Sequence, residues 1–167
     1  YVPITAVTPI PADVPVTRAV LAANMETAVN AVWDARPKVG DHIVIIGAGV
    51  VGLLIAWLCR QLPGTSIAVV DINLDRESVA RELGVPFFSK SLLKEKADLV
   101  IHVSGQPEGL RTALEVAGNE ATIVEVSWYG NRSVPLPLGE AFHSRRLTIR
   151  SSQVGRLHPE QAPRWNQ

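Results

Sequence analysis

Three glycines and one aspartate carry the most specific chemistry in this 167-residue chain. Gly47, Gly49 and Gly52 form G-x-G-x-x-G directly after the apolar run H-I-V-I-I at 42–46. Asp71 closes a second apolar run, 66–70, and stands nineteen residues after Gly52. Each glycine has its own physical role. Gly47 permits the sharp turn out of a strand, Gly49 lets a pyrophosphate approach the backbone, and Gly52 lets a helix pack close on the sheet. The N–H groups and positive end of that helix favour a phosphate by about 0.3–1 kcal/mol. An acidic residue about 20 positions further on reaches the adenosine ribose hydroxyls of a dinucleotide. A glycine turn in an unrelated α/β protein, with Asp71 as a helix cap, would explain each residue but not their joint spacing.

Other chemistry is looked for without success. His42, His102, His143 and His158 lie on separate segments, with no H-E-x-x-H and no cysteine pair, so no metal ligand set is assigned. There is no G-x-S-x-G elbow and no G-x-x-x-x-G-K-[ST] phosphate loop. His102, inside a strand, reads as a hydrogen-bonded core histidine and not as a general base. Glu26 is alone, and Ser127 has no evident base partner. No catalytic residue is assigned.

Composition narrows the class. With 47% hydrophobic and 19% charged residues, the chain can bury a core as one α/β domain. Sixteen basic residues against sixteen acidic ones leave no global attraction for nucleic acid or an anionic membrane. The Arg145-Arg146 pair reads as solvated surface. The single cysteine, Cys59, forms no internal disulfide and fits a reducing, cytoplasmic setting. Residues 43–59 are an uncharged, mostly apolar run, but three glycines and a β-branched first half divide it into strand, turn and buried helix, not a membrane span.

Alternating elements are expected to position the glycines. The proline-rich 1–15 reads as a connecting segment or edge strand. A helix is expected over about 17–34 with Thr17 as its cap, then a turn at 37–41 and the central strand. The helix over 50–62 is apolar nearly all round, so both its faces should be covered, with Cys59 against the sheet as inert packing. Further strands are expected at 66–71, 85–88, 98–104, 121–126 and 147–151, with helices near 74–83, 110–116 and 140–144. Such alternation implies right-handed crossovers, a parallel sheet in the order 3-2-1-4-5-6, and a ligand across the carboxyl ends of the strands. We divide the single domain into a connecting segment and leading helix (1–36), a core (37–152) and a tail (153–167).

With these stretches laid out, the chain resembles the coenzyme-binding half of the medium-chain dehydrogenase/reductase family, the zinc-type alcohol, polyol and threonine dehydrogenases. V-T-P-I-P-A-D-V-P, the block from T-A-V-N-A-V-W-D-A-R-P-K-V-G-D through G-A-G-V-V-G-L-L, V-V-D-I-N-L-D-R-E-S-V-A-R-E-L-G-V and A-D-L-V-I-H-V-S-G carry the likeness, over about residues 4–152. It implies a Rossmann-type doubly wound sheet and hydride transfer between NAD and an alcohol or carbonyl substrate in the complete enzyme. By position, Gly47, Gly49, Val50, Val51 and Gly52 become the pyrophosphate cradle, and Asp71, with Ile72 beside it, the ribose site. Arg76 matches a basic residue beside that ribose, or is a surface ion pair. Ser104, Gly105 and Ser127 would pass near the coenzyme, and Thr27 sits where some members touch the nicotinamide. Glu26 lies about one helical turn from a zinc-associated Glu of polyol-type members.

Two departures qualify the likeness. Val126-Ser127-Trp128 stands where the family shows Val-Gly, so Trp128 either reshapes the nicotinamide end or packs under a neighbouring domain. The family's amino-terminal catalytic domain, which carries the zinc, is absent from this chain. NAD is expected over NADP, because Asp71 would repel a 2′-phosphate. Zinc is expected only in the absent domain, and the chain by itself should bind dinucleotide without turning over alcohols. Apolar surface left at the domain contact should favour self-association, as a dimer. A stand-alone dinucleotide-binding or sensing module is the alternative function.

Overall fold

Runs of Ile and Val that are buried on both faces form parallel strands, and the helices between them cover those faces. The computed structural model describes residues 1–89 and 96–164. Among these, six strands form one parallel sheet: β1 His42–Ile46, β2 Ser66–Val70, β3 Phe87–Phe88, β4 Ala97–His102, β5 Ala117–Glu125 and β6 Thr148–Ser151. Their order is β3-β2-β1-β4-β5-β6, as the alternation predicts. The order reverses at β1, where the connection to β2 runs over one face and that from β4 to β5 over the other.

The two faces carry two apolar layers. Ile43, Ile45 and Ile101 pack with α2 (Ala22–Ala35) and α3 (Val50–Arg60). Val44, Val100 and Ile123 pack on the opposite side with Leu110 and Leu114 of α5 (Pro107–Val116). The apolar α3 packs on the sheet with α2 beside it on the same face, and Trp57 is turned outward. Cys59 is fully buried there, and burial pushes its thiol up to about 12, so it remains a packing residue.

Several boundaries depart from expectation for local reasons. The leading helix is two pieces, the single turn α1 (Val16–Ala19) and α2, broken at Val20 and Leu21. Thr17 is not its cap. Pro15 precedes α1, and the Pro15 carbonyl accepts from the N–H groups of Arg18 and Ala19, leaving Thr17 inside the turn. The helix expected over 74–83 begins as a 3₁₀ turn, Leu74–Arg76, capped by the Asn73 side chain, and continues as α4 (Glu77–Glu82). β3 is shorter than expected, because Val85 bonds back to the Ala80 carbonyl and Pro86 has no N–H to give. β5 starts earlier, with an irregularity between Ala97 and Leu99 of its partner β4. A wide turn at Leu138–Phe142 leads toward β6. The segment 1–15 contains one short 3₁₀ turn, Ile4–Ala6, and no strand.

The β1–α3 turn is the tightest junction. A Cβ built on Gly52 would lie 1.9 Å from the Gly47 carbonyl oxygen, and one on Gly47 would lie 2.9 Å from the backbone of Ser104. Gly47 also has φ +115°, a conformation other residues avoid. Gly52→Ala must push α3 off the turn. Urea denaturation should show a loss of about 1–3 kcal/mol, the usual range for overpacking; unchanged stability would mean that α3 does not seat this closely.

Candidate functional site

The register brings one residue from each strand to the carboxyl rim. Phe88, Val70, Ile46, His102, Glu125 and Ser151 stand side by side across the sheet. The rim is apolar on the β3-β2-β1 side and polar on the β4-β5-β6 side. Above Ile46 the chain turns through Gly47, whose N–H donates to the Val70 carbonyl at 2.8 Å, and enters α3 at Gly49.

Gly49 precedes α3 without any side-chain cap, and a Cβ there would meet nothing within 4 Å. The first-turn N–H groups of Val50, Val51 and Gly52 have no intrahelical acceptor. The structure therefore offers open space at an eleven-residue helix N-terminus, the arrangement that receives a diphosphate. Val50 is exposed beside this space, while Val51 is part-buried against the core.

Asp71 lies one strand away, with its side chain only 7% exposed. Its Oδ2 accepts from the Ala48 N–H at 2.6 Å and from Arg76 Nη1 at 2.8 Å, and its Oδ1 accepts from the Asn73 N–H at 2.8 Å. Burial pushes this carboxyl up, but the Asn73 and Ala48 N–H groups and the Arg76 guanidinium outweigh it and hold it below its ordinary range. Arg76 is thus an ion-pair partner of Asp71, with 44% of its side chain exposed. Ile72, beside it, is almost fully exposed.

On the other side of the glycine turn, β4 and β5 hold a polar cluster that sequence reasoning missed. His102 is fully buried; its Nδ1 lies 2.7 Å from Glu125 Oε2 and its Nε2 lies 2.7 Å from Ser104 Oγ. Glu125 also accepts from the Ser127 N–H at 2.7 Å and from the Tyr129 hydroxyl at 3.0 Å. The Ser127 hydroxyl in turn accepts from the Gly105 N–H at 3.0 Å and lies 3.4 Å from His102 Nδ1. Burial, followed by the neighbouring Glu125 charge, pushes the Tyr129 phenol well above its ordinary range. Ser127 is thus tied into this cluster through its N–H and its hydroxyl. His102, as expected, is hydrogen-bonded in the core. The signal was present: His102 and Glu125 interrupt neighbouring apolar strands at matching positions, D-L-V-I-H and A-T-I-V-E.

The remaining candidates are dispersed. The Thr27 hydroxyl is engaged within α2, donating to the Ala23 carbonyl at 3.1 Å, and Glu26 is exposed on the same helix. Trp128 is 89% exposed just beyond β5, so it does not pack under any of the described residues. Among the described residues no three His, Cys, Asp or Glu side chains group to hold a metal ion. A zinc ion therefore finds no ligand set among them, and no step is assigned to one. No helix among the described residues is long and apolar enough to cross a membrane.

Six parallel strands reversing at β1, a glycine turn under an open helix N-terminus and an acid at the end of β2 define a Rossmann-type coenzyme-binding domain. Comparison narrows the class. The chain is 27% identical over 151 residues to the D-guloside 3-dehydrogenase of Escherichia coli K12, covering 83% of this chain and 43% of that protein. It is 34% identical over 114 residues to the L-threonine 3-dehydrogenase of Mesorhizobium japonicum, covering 67% and 32%. An alcohol dehydrogenase of E. coli CFT073, solved with NADH, shares the fold at a TM-score of 0.78 and 24% identity, over 97% of this chain and 50% of that one. A zinc-binding dehydrogenase of Sinorhizobium meliloti, solved with NADP, does so at 0.72 and 20%, over 83% and 46%. No family model matches the chain. The chain belongs to the zinc-type medium-chain dehydrogenase/reductase family and corresponds to its coenzyme-binding domain. It spans less than half the length of these two dehydrogenase relatives.

Two outcomes test this geometry. Gly49→Val fills open space, so thermal melts should show an unchanged fold but a largely lost stabilisation by dinucleotide; full ligand-induced stabilisation would place the cradle elsewhere. The depressed Asp71 carboxyl contributes stability that is complete above its ordinary value of 3.8 and is lost as the pH falls through its lower folded value. Acid titration of stability should therefore be shallower in Asp71→Asn than in the parent chain between pH 3.8 and that lower value, and identical slopes there would refute the contribution.

Proposed function

We propose that the chain binds NAD across the carboxyl rim, as the coenzyme domain of an enzyme that transfers hydride between NAD and an alcohol or carbonyl substrate. The open, uncapped N-terminus of α3 above Gly49, one strand from a nearly buried aspartate, is the observation that carries this reading. The diphosphate lies on the Val50, Val51 and Gly52 N–H groups, with Gly47 and Gly49 leaving it room. The adenosine ribose lies at Asp71 beside Ile72, and the second nucleoside passes Ser104, Gly105 and Ser127. When bound, the nicotinamide accepts or gives the hydride. Residues 37–152 form the binding core, 1–36 lead into it and 153–167 form a tail.

Asp71 sets the choice of coenzyme. Its Oδ1 has one acceptor site left beyond the Asn73 N–H, and swinging Arg76 outward frees a second on Oδ2. Two ribose hydroxyls can then donate to one carboxylate, whereas a 2′-phosphate meets its charge. Arg76 softens that repulsion, and a relative fold does hold NADP. The proposal extends to the complete enzyme: a zinc ion held by the family's catalytic domain would supply polarisation of the substrate oxygen, and this chain by itself turns over no alcohol. It also extends to self-association as a dimer, through apolar side chains such as Ile4, Val16 and Val20 that stand exposed in the leading segment.

Titration with both coenzymes tests the assignment. NAD should bind about ten-fold tighter than NADP, roughly 1.4 kcal/mol. Asp71→Ser, which retains an acceptor for Ala48 but no charge, should narrow or reverse the ratio. Equal affinity in the parent chain, or tighter NADP, would overturn the role given to Asp71.

A further inference from the structure

The polar cluster between β4 and β5 has a donor–acceptor order that assigns it a task. Glu125, as a carboxylate, only accepts, so the proton of His102 facing it is on Nδ1. The Nε2 of His102 shares a hydrogen bond with the Ser104 hydroxyl at 2.7 Å. The Gln106 N–H, 3.3 Å away, donates to the same hydroxyl, so Ser104 Oγ is held from two sides. The cluster is tightly enclosed. A Cβ on Gly109 of α5 would lie 2.3 Å from Ser104 Oγ and 2.4 Å from His102 Nε2, so the helix backbone lies directly over that hydrogen bond.

The same cluster grips the turn after β4. Gly105, at φ +68°, gives its N–H to Ser127, and its carbonyl accepts from Arg132 Nη2 at 3.3 Å. Arg132 lies over the Tyr129 ring at 5.9 Å, and Tyr129 donates to Glu125. Both peptide groups of the Gly105 turn are therefore held by the segment that follows β5, and that segment is held by Glu125.

We propose that His102 and Glu125 are positioning residues for the nicotinamide-riboside half of the coenzyme, acting through Ser104, Gly105 and Ser127. The inference rests on the dinucleotide reading above. With adenosine at Asp71 beyond β2 and the diphosphate at α3, the other nucleoside must run over the ends of β4 and β5, where these three residues stand. A hub that fixes two loops and one hydroxyl sharpens that half of the site. Its hydrogen bonds reach none of the groups around Asp71, three strands from β5.

Calorimetric titration of the full chain with NADH and with ADP separates the halves, since ADP lacks only the nicotinamide riboside of the pair. Glu125→Leu removes the hub and should weaken NADH about ten-fold while ADP stays within about two-fold, the scale of one or two lost hydrogen bonds. Glu125→Gln, which can still accept from His102 and Ser127 while donating to Tyr129, should restore most of the NADH affinity. If Glu125→Leu does not fold, Tyr129→Phe removes one donor from the same hub and should lower the NADH-to-ADP preference about three-fold. An unchanged preference in the folded variant overturns the proposal, as does a parallel loss of both ligands, which is the mark of a merely structural role. A parent chain that binds NADH no tighter than ADP also overturns it, while leaving the adenosine site intact. A parent chain that binds neither ligand defeats the dinucleotide reading itself.

Discussion

Everything in this domain depends on how closely two pieces of backbone approach at the β1–α3 turn. The start of α3 rests on the carbonyl of Gly47, and Gly47 rests on the backbone of Ser104 at the end of β4. No side chain fits in either contact. The helix axis is thereby aimed at the rim, its first amides face open space, and the ends of β1 and β4 are set at a fixed separation. The apolar layers supply most of the folding free energy, but they would tolerate small shifts of α3 along the sheet. The glycine contacts do not, and so they turn a stable sheet into a site.

Around that junction the rim divides its labour by strand. On the β2 side a single carboxylate, Asp71, is surrounded by three donors and kept ionised. On the β4–β5 side the polar groups are shared in a network, with Glu125 at its centre and His102 buried beneath. A carboxylate at a strand end is suited to discriminating between neutral hydroxyls and a phosphate. Donors gathered around one carboxylate, as at Glu125, are suited to fixing geometry.

How much of this was legible in the sequence follows from the range of the forces involved. The strands at 42–46 and 66–70 were, because β-branched runs flanked by turn residues leave little choice. The sheet order followed from alternation and handedness. Asp71 was found because its partner glycines are tied to it by a fixed crossover length. The demotion of Thr17 from a cap was not legible, because it depends on the Pro15 carbonyl taking the Arg18 and Ala19 N–H groups, and neither was the break at Val20 and Leu21, where the Leu21 N–H closes a tight turn on Arg18. The His102–Glu125 pair escaped for another reason. Twenty-three residues separate the two, and their contact exists only once β4 and β5 are in register. Aligning the carboxyl ends of adjacent strands would have revealed it.

The bond from the Ala48 N–H to Asp71 bears on the entropy of the site. Glycine-rich turns are usually the loosest stretches of a chain, and a ligand that orders one must offset the lost freedom. Here the middle of G-A-G is stapled to a neighbouring strand by a carboxylate 93% shielded from solvent. The turn is held in one shape by this bond without any ligand. Its Ala48 amide should belong to the slowly exchanging set although it sits in a loop, and the rate of ligand capture should be governed by diffusion to the rim instead of by rearrangement of the turn.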